Sequence, residues 1–348
     1  MFTVKTALPI RALALAGLLL PAAAWAEDRC EGSISGGTVD FGEVDVLPGR
    51  SQDIRIPVSV QITCTKDNPG LPRRFHVCLG IDSGRWPGPR PVPPGSGDRY
   101  LCTAQGQCGN ANPRMRYNLY TDPAYASILG SITPRQGTSN MLRTTIDIPA
   151  GRSSHTQTLT FYARMSASSL SINLPPGRYQ NPFSGGSTAL IWNQNPNQAD
   201  CGHYSPAGDV RVPFTVQARV VKRCHVEADP LDFGSVPAGR ENIAGQTRLR
   251  VICTPGTDYT VGLRSDHPSP KGDGWGIMQP LAGGGQGVPY SLHHNNHNGP
   301  LWGHAANLRG GNRQGSGAVQ SYPVYGKVPS ADYRPGKYQD TVRIEIGY

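Results

Sequence analysis

The feature that most constrains this 348-residue chain is an internal repeat. Cys30 is followed by Val39-Asp40-Phe41-Gly42-Glu43-Val44 and then, after an alternating stretch, by Gln61-Ile62-Thr63-Cys64-Thr65. Cys224 is followed in the same way by Leu231-Asp232-Phe233-Gly234-Ser235-Val236 and Val251-Ile252-Cys253-Thr254. Three more landmarks recur in the same order. Phe75-His76-Val77-Cys78-Leu79 answers to Tyr259-Thr260-Val261-Gly262-Leu263, and Tyr117-Asn118-Leu119-Tyr120 to Tyr290-Ser291-Leu292-His293. Pro176-Gly177-Arg178-Tyr179-Gln180 answers to Pro335-Gly336-Lys337-Tyr338-Gln339. Five landmarks in one order imply two diverged copies of one domain, which suits a chain of this length.

Each copy reads as short strands. Arg55 to Ile62 alternates apolar and polar residues, as does Leu159 to Ala163. In the last segment Val342, Ile344, Ile346 and Tyr348 share one face, while Thr341, Arg343 and Glu345 take the other. Helical periodicity is nearly absent. The 43 Gly and 32 Pro supply frequent turns between these segments. The pattern is that of antiparallel β-sandwiches, so the fold class is all-β.

Residues 1–26 read as a secretory signal peptide. Lys5 and Arg11 give the basic start, Ala12 to Leu20 the short apolar core, and Ala24-Trp25-Ala26 the cleavage pattern. The apolar run is too short to span a bilayer, and no later run approaches about 20 residues, so no integral membrane segment is expected. Export leads to an oxidising compartment, where eight cysteines read as disulfides. Cys30 with Cys64 and Cys224 with Cys253 occupy matching landmarks, so each pair is expected to staple a first strand to a second. The other four cysteines allow three pairings. Cys102 with Cys108, neighbours in sequence, and Cys78 with Cys201 by elimination are the preferred ones.

Chemistry is sparse. No G-x-S-x-G elbow, P-loop or H-E-x-x-H motif occurs, and Asp82, Asp98 and Asp122 read as solvated loop residues, so no enzyme activity and no cofactor are expected. His293, His294 and His297, with His304 nearby, could share a metal. His293 matches Tyr120 on a repeated strand, however, and a structural role is the preferred reading, with no metal site. The formal charge of +9 contains no dense Lys/Arg run, so no nucleic-acid partner is expected.

The ordered landmarks resemble the spore coat protein U domain family, subunits of archaic chaperone–usher pili. The pattern comprises an early Cys, F-G-x-[VY], a second Cys, Y-x-L-Y, Trp-Gly and a terminal P-G-x-Y-x-D-x-[VI]. The second copy supplies Trp302-Gly303 and Pro335-Gly336-Lys337-Tyr338-Gln339-Asp340-Thr341-Val342; the first lacks Trp-Gly and has Asn181 in place of Asp340. The resemblance implies two immunoglobulin-like sandwiches in tandem, the second incomplete and needing a strand donated by a neighbour. It also implies a periplasmic chaperone, an outer-membrane usher and a next pilus subunit as partners. Val342, Ile344, Ile346 and Tyr348 would then form the subunit and chaperone interface.

The chain divides on this reading into an N-terminal adhesin-like domain (27–208), a linker or donor strand (209–221) and a C-terminal pilin-like domain (222–348). In the segment from 210 to 220 every even position is apolar, which makes Val210, Val212, Phe214 and Val216 donor-strand residues. The favoured reading is a strand that completes the first copy in cis and leaves it to enter the second; the alternative is that it is merely the second copy's own first strand. Only Glu27, Asp28 and Arg29 separate the expected cleavage point from Cys30, too few to donate a strand of about five residues. A tip adhesin, exported through the periplasm to the extracellular pilus tip, follows as the expectation. It would mediate attachment to an abiotic surface or host receptor and biofilm formation; a secreted carbohydrate-binding (lectin-like) sandwich is the alternative. The first copy carries surplus sequence from Ser83 to Pro113, with Trp86 and Val92 among prolines. By resemblance to the hydrophobic finger loops of archaic tip adhesins, Trp86, Val92, Ile128 and Leu129 are the expected surface-binding residues. Trp86 could instead fold back onto the sandwich.

Overall fold

The structure is a computed structural model. It describes residues 27–85, 98–103, 108, 113–130, 140–170, 173–194 and 209–348. Among these residues regular structure is β apart from single 3-10 turns.

The first sandwich begins with β1 (Arg29–Ile34), β2 (Thr38–Val44), β3 (Ile54–Thr65) and β4 (Arg73–Ile81). It continues through β5 (Arg99–Thr103), β6 (Arg114–Tyr120), β7 (Leu142–Ile148) and β8 (Ser154–Met165). It closes with β9 (Gly177–Phe183), β10 (Thr188–Asn193), β11 (Asp209–Val210) and β12 (Phe214–Val220). Eight strands run in the order β1-β3-β8-β6-β5-β9-β12-β2, and four in the order β11-β10-β4-β7. The alternation in β3 places Val58, Val60, Ile62 and Cys64 in the core and leaves the intervening positions more exposed.

The second sandwich comprises β13 (Cys224–Ala228), β14 (Glu241–Cys253), β15 (Asp258–Ser265), β16 (Trp275–Pro280) and β17 (Val288–His293). β18 (Gly310–Gln314), β19 (Gln320–Ser330), β20 (Tyr338–Gln339) and β21 (Val342–Gly347) complete it. Its sheets are β13-β14-β19-β17-β16-β20 and β18-β15-β21. Residues of β1–β12 share one core and those of β13–β21 another.

The repeat in sequence is a repeat in register. Cys30 stands opposite Cys64, and Cys224 opposite Cys253, in antiparallel first-to-second strand pairs. β3 then pairs with β8 as β14 pairs with β19. The P-G-x-Y landmark makes one bond twice: the Tyr179 hydroxyl donates to Pro175 O (2.9 Å) and the Tyr338 hydroxyl to Arg334 O (2.6 Å). A tyrosine bonded back to backbone four residues upstream is the corner found at the start of an immunoglobulin F strand. In the D-F-G landmark, Asp40 accepts from Gly42 N and Asp232 from Gly234 N, both at 2.8 Å. Both glycines have positive φ, 74° and 70°, the region in which a side chain is strained.

Candidate functional site

The two sandwiches differ where the segment from 210 to 220 lies. β11 pairs with β10, and β12 fits between β9, to which it is antiparallel, and β2, to which it is parallel. Val212, Phe214, Val216, Ala218 and Val220 are buried in the first core, and Val210 is half-buried. The segment therefore lies in the first sandwich; the readings that carry it into the second sandwich, or make it that copy's own first strand, do not hold. Phe214 stacks on Phe183 with ring centroids 4.4 Å apart, and Phe161 lies 6.1 Å away.

In the second sandwich the equivalent place has no strand among the described residues. β20 pairs only with β16, and β21 only with β15, so both present an unpaired edge. The D-F-G segment responds accordingly. Val39 to Val44 is strand with Val39, Phe41 and Val44 buried, whereas Leu231 to Val236 is not strand, and Val236 is 38% exposed. Similar sequence gives different structure because a strand exists only as part of a ladder. Likewise Leu190 and Ile191 of β10 are buried, while Val342, Ile344 and Ile346 of β21 are half-buried and Tyr348 is exposed.

The result is an open groove of about 650 Å³. It is lined by Leu231, Phe233 and Val236, by Tyr333 to Tyr338, and by Ile243, Met278, Val288 and Val328. Part of the missing volume is made up locally. Gly245 of β14 and Gly326 of β19 stand where the first sandwich has Ile56 and Ala163. A Cβ on Gly326 would lie 2.6 Å from Leu231 and 2.8 Å from Phe233, so these two side chains rest on bare backbone. The exposed walls carry the open edges and apolar surface of an unfinished sheet.

A polar knot stands at the junction of β20 and β21. The Asp340 carboxylate, itself 2% exposed, accepts from the Tyr290 hydroxyl (2.6 Å) and from Ser265 Oγ, and meets His267 Nδ1 at 2.7 Å. Burial and the bond to Asp340 push the Tyr290 hydroxyl well above the ordinary tyrosine range. In the first sandwich Asn181 takes this place, donating to Ser83 O and Tyr117 and accepting from Arg85 N. The sequence showed the Asp/Asn exchange, but not that Asn181 stands opposite Val216 of β12 while Asp340 follows β20, which has no such partner strand.

The other expected residues fall as follows. Cys30–Cys64, Cys102–Cys108 and Cys224–Cys253 are disulfides. Cys78 is also oxidised, and Cys201 lies outside the described residues. Trp86 and Val92 lie outside them too. Leu129 corrects an expectation: it is wholly buried, so it is core and not contact surface. Its carbonyl accepts from the buried Arg99, whose guanidinium also holds Ile81 O, Asp82 O and Asn118 Oδ1. Burial lowers the Arg99 pKa to about 10. Ile128 is half-buried, bridged to Tyr120. The histidines have separate tasks. His293 meets Ser291 Oγ and Gly299 O, His294 stacks on Trp302, His297 meets Gly245 O, and His304 meets Asp273.

Fold and groove together define a tandem of immunoglobulin-like sandwiches, one filled by its own strand and one open. The model of the Spore Coat Protein U domain matches residues 18–183 and 211–345, and the chain belongs to that family. No curated protein sequence matches the chain. Similar solved structures include a chain of the CsuC–CsuE chaperone–tip adhesion subunit pre-assembly complex, from the archaic chaperone-usher Csu pili of Acinetobacter baumannii. Its identity is 16% and its TM-score 0.52, over 92% of this chain and 100% of that one. The CupB6 tip adhesin of Pseudomonas aeruginosa is 12% identical, with a TM-score of 0.35 over 92% and 94% of the two chains. CfaE, the adhesive subunit of CFA/I fimbria of enterotoxigenic Escherichia coli, is 9% identical, with a TM-score of 0.32 over 89% and 92%. At these identities the likeness is one of fold.

Proposed function

We propose that the chain is a two-domain tip adhesin of an archaic chaperone–usher pilus. The first domain (27–208, closed by 209–221) meets the target, and the second (222–348) joins the fibre. The observation that carries this reading is the asymmetry between the copies: β12 fills the first sandwich, and the matching groove of the second is open. A periplasmic chaperone covers the groove during export, the outer-membrane usher receives the complex, and the next subunit then replaces the chaperone with a strand of its own. Val342, Ile344 and Ile346 lie along the edge that such a strand would pair with. Membership of the Spore Coat Protein U domain family and the CsuC–CsuE likeness favour this over a secreted lectin, which would close both of its sheets. The protein acts by binding, not catalysis, and its place is extracellular, at the pilus tip.

Export of the chain with and without a co-expressed periplasmic chaperone of the chaperone–usher class tests the assembly role. The expected result is a 1:1 complex with the chaperone, and aggregation or degradation without it. A stable, soluble monomer indifferent to the chaperone would overturn the reading. Attachment and biofilm formation are assigned to the apolar loops of the first domain, Trp86, Val92 and Ile128. Trp86→Ser with Val92→Ser should abolish attachment while pilus length is kept, and normal attachment by assembled mutant pili would clear those residues of the role.

A further inference from the structure

We infer that the second sandwich holds a guanidinium-binding pocket, the vacated counterpart of the place that Arg99 fills in the first. The pocket is separate from the open groove, with which it shares no lining residue.

Two ladders fix the correspondence. β5 stands between β6 and β9 as β16 stands between β17 and β20. Arg99 lies opposite Tyr117, and Gly276 opposite Tyr290. Three residues further along, Cys102 lies opposite Gln180, and Gln279 opposite Gln339. Tyr117 with Tyr290, and Gln180 with Gln339, are matching landmarks, so Gly276 is the counterpart of Arg99. The acceptors are matched by bonds of their own. Ile81 N donates to Gly130 O and Leu263 N to Gly303 O, each at 3.0 Å. Leu129 N donates to Leu119 O (2.8 Å) and Trp302 N to Leu292 O (2.7 Å). Two residues on from Ile81 and Leu263, Ser83 meets Asn181 and Ser265 meets Asp340. In space, therefore, Leu263 answers to Ile81 and not to Leu79, its match in sequence, and Trp302 answers to Leu129.

In the first sandwich Arg99 Nη2 donates to both Ile81 O and Leu129 O, at 2.7 Å each. Their counterparts are Leu263 O and Trp302 O, and among the described residues no side chain donates to either. Leu263 gives its N–H toward Gly303, and the N–H and C=O of one strand residue share an edge, so its carbonyl faces the same way and not toward β21. Where the Arg99 side chain would lie there is a cavity of about 290 Å³. It is lined by the buried Leu263, Gly276, Tyr290 and Leu292 and by the more exposed Asp273 and His304. One water takes about 30 Å³ of liquid, so a planar guanidinium has room.

This copy cannot supply the group itself. A Cβ on Gly276 would lie 2.5 Å from the Tyr290 ring. Arg264 borders the cavity, but its side chain is 60% exposed and its charge meets Glu345 at 4.0 Å. The guanidinium therefore comes from outside, past Asp273. That carboxylate is fixed by Ala305 N, His304 N and His304 Nδ1, and it supplies negative charge beside the cations Arg264 and His304. Two bare carbonyls near a carboxylate call for a ligand made of donors, and a guanidinium carries five in one plane.

The test titrates N-ethylguanidinium into the full chain held by its co-expressed chaperone. Binding is followed by calorimetry and by the methyl resonances of Leu263 and Leu292. The expected result is one site, a shift of both sets of resonances, and binding at least about tenfold tighter than that of N-ethylurea, which has the same shape without the charge. Arg99→Ala empties the matching place in the first sandwich and should add a second site. A Gly-Arg-Gly peptide that moves the same resonances would name an arginine of another protein as the source; agmatine acting where the peptide does not would name a small guanidine. Methyl resonances that stay still, or equal binding of the urea, would overturn the inference. If Arg99→Ala gains its site even then, the failure belongs to the second sandwich and not to the chemistry. The adhesin reading, which chaperone binding tests, stands apart from either result.

Discussion

Phe41 and Phe233 occupy the same place in the repeat, and truncating each to alanine measures what the missing strand is worth. Phe41 is 5% exposed, lies 5.8 Å edge-on to Tyr117, and sits in a strand held by β12. Removing the ring loses about 1.5–3 kcal/mol of transfer free energy and about 0.5–1.5 kcal/mol of aromatic contact. With the cavity left in a rigid core, a total of about 3–5 kcal/mol is expected. Phe233 is only partly buried, its ring centroid lies 6.4 Å from that of Tyr290, and it belongs to a segment with no ladder on either side. Its transfer loss is smaller and the segment is free to settle into the space, so about 1–2 kcal/mol is expected. Guanidinium unfolding of the full chain, followed by near-ultraviolet circular dichroism, reports both domains. Phe41→Ala should lower the first domain's stability by at least about 2 kcal/mol more than Phe233→Ala lowers the second's. Equal losses, or the larger loss at Phe233, would show that the second core is as complete as the first.

Replacing Cys30 and Cys64, or Cys224 and Cys253, closed over 34 and 29 residues, should cost about 3–4 kcal/mol per pair. Unchanged unfolding midpoints would remove the chain-entropy argument. Arg99→Ala leaves three backbone carbonyls and Asn118 Oδ1 without their donor, a loss of about 3–5 kcal/mol. Arg99→Lys should recover only part of it, because an ammonium cannot fork among four acceptors, and full recovery of the first domain's midpoint would contradict this. The Asp122 carboxylate accepts from Ser127 N, Ala126 N and Ala124 N, bonds that hold it below the ordinary aspartate value of 3.8. A lowered folded-state pKa means that this contribution is complete above 3.8 and is lost as pH falls through the lower folded-state value. Amide exchange in residues 121–128 should therefore rise in acid, and an identical acid response in Asp122→Asn would refute the assignment.

Much of this protein was open to inspection in the sequence because the signals were local. The two sets of landmarks, the alternation from 210 to 220 and that of the last strand are periodicities within a few residues, and they follow from the two-residue repeat of a pleated strand. What a strand pairs with is not local. The alternation from 210 to 220 states that the segment has one apolar face, and it serves equally for either sandwich or for neither. The choice was made by ladders to β9 and β2, the latter about 175 residues earlier in the chain.

The same limit explains the other differences. Ile128 and Leu129 read as surface-binding residues, yet the demand of buried Arg99 for carbonyl acceptors draws Leu129 inward. Gly245 and Gly326 carried no signal in sequence, because a glycine declares its purpose only when another chain segment comes to rest on it. The sequence by itself determined that there are two copies, that they are β-sandwiches, and that cysteines and tyrosines recur at matching points. Only the tertiary structure decided that one copy of D-F-G is a strand and the other a loose groove wall, because backbone groups become a strand only when a neighbour supplies their hydrogen-bond partners.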